Sequence, residues 1–169
     1  MIFIGPCTAK KAERQRPEVE PYIDCVMTFE ELQALIDSMD IDIEHLEESI
    51  LDEASGFGRE FAFSGGLSGA VAQALKEIAE LEGPDSDAAK FVLKAATCDG
   101  IENCKTTLIR ANKGLLPENF IEGMACEGGC IGGAGCLTHG EKNKAAILKH
   151  SSQAQKKTIL EKTDLDDCL

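Results

Sequence analysis

The chain opens on a short apolar run, Met1-Ile2-Phe3-Ile4, closed by Gly5-Pro6. It is too brief for a helix and is bounded by a turn signal, so it predicts a short buried strand. Residues 22–28 (YIDCVMT) alternate in part and predict a second strand. Thr28 and Glu31 stand at capping-box spacing ahead of an apolar-periodic stretch, which predicts a helix to about Ser38. Residues 40–54 are acidic with irregular periodicity and predict a short exposed helix, and the glycine-rich residues 56–69 predict a loop. Residues 69–83 place apolar side chains at helical spacing and stop at Gly83-Pro84. Further along, 91–97 (FVLKAAT) predict a strand, 101–114 a helix stopped by Gly114, and 119–125 (NFIEGMA) another strand. Residues 140–162 are helical in composition with a polar end.

Strands that alternate with helices predict an α/β fold, a mostly parallel β-sheet flanked by helices. The chain of 169 residues fits one domain, with an α/β lobe over 1–150 and a helical, polar tail over 151–169. In open α/β sheets, ligands bind beyond the carboxyl ends of the strands. Cys7 lies just past the first strand, and Cys126 and Cys130 lie just past the last. Were those two strands parallel neighbours, three thiols would converge from loops more than a hundred residues apart.

Charge narrows the classes of partner. A formal net charge of −13 argues against nucleic acid and against anionic membranes, both of which need clustered Lys and Arg. No apolar run approaches a membrane span, and Cys7 interrupts any signal-peptide core, so the expected compartment is the cytoplasm. Trp is absent and Tyr occurs once, which leaves no aromatic platform for bases or sugars. Eight cysteines in a reducing compartment point to metal ligation, catalysis or plain burial.

The stretch EGMACEGGCIGGAG (122–135) concentrates this chemistry. Two thiols stand four positions apart among six glycines, a composition that lets backbone come close to something. Structural zinc sites pair C-x₂₋₄-C with a second pair of Cys or His, and no second pair is present. An iron–sulfur cluster suits the thiols and the glycine-rich wrap better, because backbone N–H groups can approach its sulfides. A cubane takes four ligands, however, and Cys7, Cys126 and Cys130 make three. Cys136, Cys25 and Cys168 remain as candidates for the fourth, while Cys25, Cys98 and Cys104 read as core or helix-face residues. Neither a phosphate-loop pattern nor a thiol beside His45, His139 or His150 is favoured by spacing.

The combination FIGPCTAKK (3–11) with FIEGMACEGGCIGGAG (120–135) resembles two of the three signature motifs of iron–iron (FeFe) hydrogenases. The segments DCVMTFEEL, GREFAFSGGLSGAV, CDGIENCKTTL and KHSSQAQKKTI look like that family's intervening segments, in the same order. The resemblance implies the second lobe of the FeFe hydrogenase catalytic domain. It implies an H-cluster: a 4Fe–4S cubane joined through a cysteine sulfur to a two-iron unit with CO and CN⁻ ligands, for reversible dihydrogen/proton interconversion. Cys7, Cys126 and Cys130 would then be cubane ligands, with Cys130 bridging to the two-iron unit. Lys10 would hydrogen-bond a cyanide, Met124 would pack against the two-iron unit, and Pro6 and Phe61 would line the pocket. In this resemblance the bare glycines exist so that the cluster can lie against backbone.

The family's first motif, a Thr-Ser-Cys-Cys-Pro-type segment that supplies the fourth ligand, has no counterpart here. Gly5, Glu127, Cys136 and Leu137 replace the usual Met, Pro, Gln and Pro. The expected partners are therefore an N-terminal lobe, maturation proteins and an electron carrier such as ferredoxin, and the chain alone is expected to be inactive and without its cluster. A hydrogenase-like iron–sulfur assembly protein, a dihydrogen sensor and a plain redox module are the alternative readings.

Overall fold

A computed structural model describes residues 1–49 and 54–160. Cys168, the acidic run 164–167 and the end of the helix expected over 140–162 lie outside the described residues, as does part of 40–54. The strands β1 (Ile2–Ile4) and β2 (Cys25–Met27) pair in parallel, with Phe3 opposite Val26. The strands β3 (Ala95–Asp99) and β4 (Phe120–Met124) form a second parallel pair, with Cys98 opposite Gly123. The α/β class and the parallel pairing are as predicted, but the strands form two separate two-stranded sheets, and β1 and β4 are not ladder neighbours among the described residues.

Among the described residues, seven helices connect and flank the strands: α1 (Ala9–Glu13), α2 (Phe29–Ser38), α3 (Gly56–Arg59), α4 (Gly66–Glu82), α5 (Asp87–Lys90), α6 (Ile101–Asn112) and α7 (Glu141–Ser152). The capping box on α2 forms as its spacing predicts: Glu31 N–H donates to Thr28 Oγ1 at 3.2 Å and Thr28 N–H donates to the Glu31 carboxylate at 2.9 Å. The stop at Gly83 also holds, with φ +94° there and its N–H on Ala79 O.

Five expectations are corrected. The 56–69 segment is not a simple loop: it holds α3, a 3₁₀ turn (Glu60–Ala62) and the start of α4. The described part of 40–54 holds one 3₁₀ turn, Ile43–His45. The strand expected over 91–97 is displaced to Ala95–Asp99, because the ladder with β4 sets its start and the Asn119 side chain holds the preceding residues through Val92 O and Lys94 N. Finally β1 is not buried, since Ile2 is 58% and Ile4 43% exposed. Cys25, read as a core residue, is exposed as well.

The interior is anchored by a carboxylate. Glu122 on β4 is 2% exposed and accepts hydrogen bonds from Gly65 N–H (2.8 Å), Ser68 N–H (2.8 Å) and Ser68 Oγ (2.5 Å). It thereby caps the N-terminus of α4, whose own cap position is Gly65 and offers no side chain. At the other end of the chain, Glu77 on α4 accepts from Ile159 N–H and Leu160 N–H, each at 2.9 Å, and holds the segment after α7 against the helix. No described helix is long and apolar enough to cross a membrane.

Candidate functional site

The loops after β1 and β4 meet without a shared sheet. Gly135 N–H donates to Pro6 O at 3.0 Å, and Phe29 N–H donates to Gly135 O at 3.2 Å, so one glycine ties the β4 loop to the β1 loop and to the start of α2. Gly5 N–H continues the first ladder onto Met27 O. The last loop is also fastened on its other side, where Ser64 N–H donates to Gly128 O.

The chain's own crowding gives these glycines a reason that needs no cluster. A Cβ at Gly132 would stand 2.1 Å from Glu127 O, and one at Gly133 2.4 Å from Pro6 O. At Gly129 it would meet Met124 Sδ and Ser64 N at 2.7 Å, and at Gly135 it would meet Thr28 Cβ at 2.7 Å. These four are glycine because the chain's own atoms press on them. Gly128 differs: its φ is +74° and nothing lies within 4 Å of where a Cβ would be.

Packing of the two loops sets Cys130 within reach of the charges of both Cys7 and Cys126. Cys130 is exposed as a residue, but partial burial of its thiol pushes it up, the charges of Cys7 and Cys126 push it further, and the Lys10 ammonium opposes them. Cys136 is buried and feels Cys126 and Cys130 in the same way, after a larger effect of burial. Its Sγ donates to Ile131 O at 3.4 Å and it lines a separate cavity with Pro6 and Phe29.

Lys10 lies on α1, three residues past Cys7, and its ammonium pairs with Glu13 at 2.5 Å. Met124 ends β4, its sulfur against Gly129. Pro6 contributes its carbonyl to the loop junction. Phe61 is 47% exposed on the 3₁₀ turn, and it is the neighbouring Phe63, 6% exposed, whose backbone touches Gly129 and whose ring carries Lys144 above it. His45 bonds to Asp42 and His150 faces Arg59, so neither of these imidazoles is paired with a thiol there.

The donor set can be tested against the group it suggests. Among the described residues no three His, Cys, Asp or Glu side chains stand close enough to hold a single metal ion. A lone zinc would draw its thiolates to about 2.3 Å. A cubane asks for something else, because each thiolate binds a different iron corner and the sulfurs stay farther apart. Cys130 feels the charges of both Cys7 and Cys126, the two loops are joined by hydrogen bonds, and three thiols are the donor type a cubane takes. A polar cleft of about 590 Å³ flanks the same loop, with Asp99, Glu127 and Lys144 on its wall.

Sequence reasoning missed Glu122, whose carboxylate holds the start of α4 beneath the β4 loop. An acid inside an otherwise apolar strand was one available signal. The other was a helix start at Gly65-Gly66 with no side chain of its own to cap it.

Comparison with known proteins shows the family and the fold. The family model described as the C-terminal domain of the iron-only hydrogenase large subunit matches residues 1–134. Iron hydrogenase 1 of Clostridium pasteurianum is 33% identical over 79% of this chain and 28% of its own length. Cytosolic iron-sulfur assembly component 3 of Pongo abelii is 25% identical over 88% of this chain and 38% of its own. A solved FeFe-hydrogenase HydA1 variant from Chlamydomonas reinhardtii superposes with a TM-score of 0.59 at 20% identity, covering 96% of this chain and 55% of that one. The chain thus spans about a third of the length of these curated relatives and about half of the solved one.

Proposed function

Since this chain belongs to the iron-only hydrogenase family, within the C-terminal domain of its large subunit, we propose that it contributes three thiolates, Cys7, Cys126 and Cys130, to an H-cluster. The observation that carries the proposal is the junction of the two cysteine loops through Gly135 and Pro6, with Cys130 feeling the charges of both Cys7 and Cys126. A fourth ligand comes from outside the three, supplied by an N-terminal lobe of the same domain. When bound, the group supplies redox chemistry that interconverts dihydrogen with protons and electrons.

The chain's own residues set the terms for holding it. The Cys130 thiol, raised by burial and by its two neighbours, must lose its proton on ligation, and the Lys10 ammonium favours that loss. A compact ammonium also suits an anionic cyanide ligand, and Lys10 exchanges its Glu13 partner for that role. Met124, Pro6 and Phe61 are the pocket residues the family resemblance assigns, and the polarizable thioether of Met124 adapts to an irregular partner. Maturation proteins deliver the group, and a ferredoxin-type carrier exchanges its electrons.

Similarity to an iron–sulfur assembly component supports a second reading, a cubane-bearing relative without the two-iron unit. Infrared spectroscopy separates the two. The chain would be extended through its N-terminal lobe and co-produced with hydrogenase maturation proteins, and the hydrogenase reading predicts CO and CN⁻ stretching bands together with dihydrogen evolution. A protein with a cubane signal but no such bands would belong to the assembly type.

A further inference from the structure

Cys98 on β3 and Cys104 on α6 lie outside the three candidate ligands. Cys98 stands beside Gly123 in the β3–β4 ladder, is buried, and its thiol donates to Glu122 O at 3.3 Å. Cys104, in the first turn of α6, donates to Met124 O at 3.3 Å and approaches Cys98 O at 3.5 Å. A methyl on Gly123 would lie 3.4 Å from Cys104 Sγ and 3.7 Å from Cys98 Sγ, so both sulfurs share one small space over this glycine.

We propose that Cys98 and Cys104 form a dithiol modification site that closes to an intramolecular disulfide across Gly123 when the protein meets peroxide. Cys104 is the partly exposed member and opens onto an apolar cleft of about 620 Å³ lined by Ile101, Leu108, Ile109 and Met124, which gives a small oxidant access. In the first step the Cys104 thiolate attacks peroxide: an S–O bond forms, the O–O bond breaks, and hydroxide leaves and is protonated to water. In the second the Cys98 thiolate attacks that sulfur: the S–S bond forms, the S–O bond breaks, and a second water leaves. Two thiols lose two electrons in all and one peroxide becomes two waters. Burial and the neighbouring Cys98 raise the Cys104 thiol, so closure is slow near neutrality and faster in alkali. The disulfide removes the two S–H donors from Glu122 O and Met124 O, the carbonyls that lead into Cys126.

The site is independent of the cluster reading, since it uses neither the cluster ligands nor iron. The test treats the folded, reduced, metal-free chain with hydrogen peroxide, quenches with an alkylating agent and digests with trypsin. Residues 95–105 come off as one peptide, AATCDGIENCK, holding both thiols. We expect that peptide to lose two hydrogens and both alkyl adducts, faster at about pH 9 than at about pH 7. Cys104→Ser abolishes the loss, and the exposed Cys25 reports in every sample that oxidant was present. A doubly alkylated 95–105 peptide under conditions that oxidise Cys25 overturns the proposal, as does Cys98 or Cys104 cross-linked to another cysteine.

Discussion

Gly135 donates its N–H to the carbonyl of Pro6 over 3.0 Å, and this contact joins two loops that no strand ladder joins. Pro6 and Gly135, from the two ends of the lobe, are held by this backbone bond, and Cys7 and Cys130 lie on the same two loops. Packing, rather than sheet order, sets the site.

Gly133→Ala and Gly135→Ala follow directly. Each methyl would meet fixed atoms, Pro6 O at 2.4 Å or Thr28 Cβ at 2.7 Å, and neither neighbour is the end of a flexible side chain. We expect a loss of about 1–3 kcal/mol in urea unfolding for each. Gly69→Ala is the contrasting case: it lies inside α4 with open space around it, and a gain of about 0.5–1 kcal/mol is expected.

Glu122 makes stability depend on acid. Burial alone would raise its carboxyl, but the Ser68 hydroxyl and the N–H groups of Ser68, Gly65 and Leu67 outweigh that and hold it below the ordinary 4.5. A depressed folded value means that the ionised form is favoured by folding. The stabilisation is therefore complete above the ordinary value and is lost as pH falls through the lower, folded one. Glu122→Gln should cost about 1–3 kcal/mol near neutrality, because an NH₂ group would face N–H donors. Between about pH 5 and about pH 3 the wild-type unfolding midpoint should fall more steeply than that of the variant.

The α2 cap gives a prediction at smaller scale. Thr28 is 4% exposed and both arms of its capping box are made, so Thr28→Ala should lose about 1 kcal/mol. Thr28→Ser, which keeps the hydroxyl, should recover most of it in the same denaturation assay.

Glu77 holds the segment after α7 by two backbone N–H groups. Glu77→Ala should release it, and limited proteolysis with trypsin should then cleave after Lys156 and Lys157 sooner than in the wild type. The same carboxylate accepts from Gln73 Nε2 at 2.7 Å within α4, a single side-chain pair, so circular dichroism should show the helix content nearly unchanged.

Local chemistry was legible in the sequence where both partners lie within one turn. Thr28 and Glu31 are three residues apart, and Gly83 carries its own conformational signal, so the α2 start and the α4 stop were readable. The α4 start was not, because its cap is Glu122, more than fifty residues away, and the helix begins three residues earlier than its apolar period. The exposure of β1 was equally hidden: an apolar run states what it would bury against, not whether that partner is present. For the candidate site, the position of each cysteine after a strand was plain from the chain. The role of its glycines was not, since the atoms that exclude a Cβ belong to Pro6, Thr28, Ser64 and Glu127 and are brought in by tertiary contact.

The most direct measurement is iron and acid-labile sulfide content after anaerobic reconstitution, with glutathione present to offer a fourth thiolate. It would be made on the wild-type chain and on Cys7→Ala, Cys126→Ala, Cys130→Ala and Cys25→Ala. If the three thiols hold a cubane, wild type and Cys25→Ala will bind iron and sulfide in equal amounts and each of the other three will lose them. Should Cys7→Ala, Cys126→Ala and Cys130→Ala all retain iron and sulfide at the wild-type level, the assignment of these cysteines as cluster ligands is contradicted.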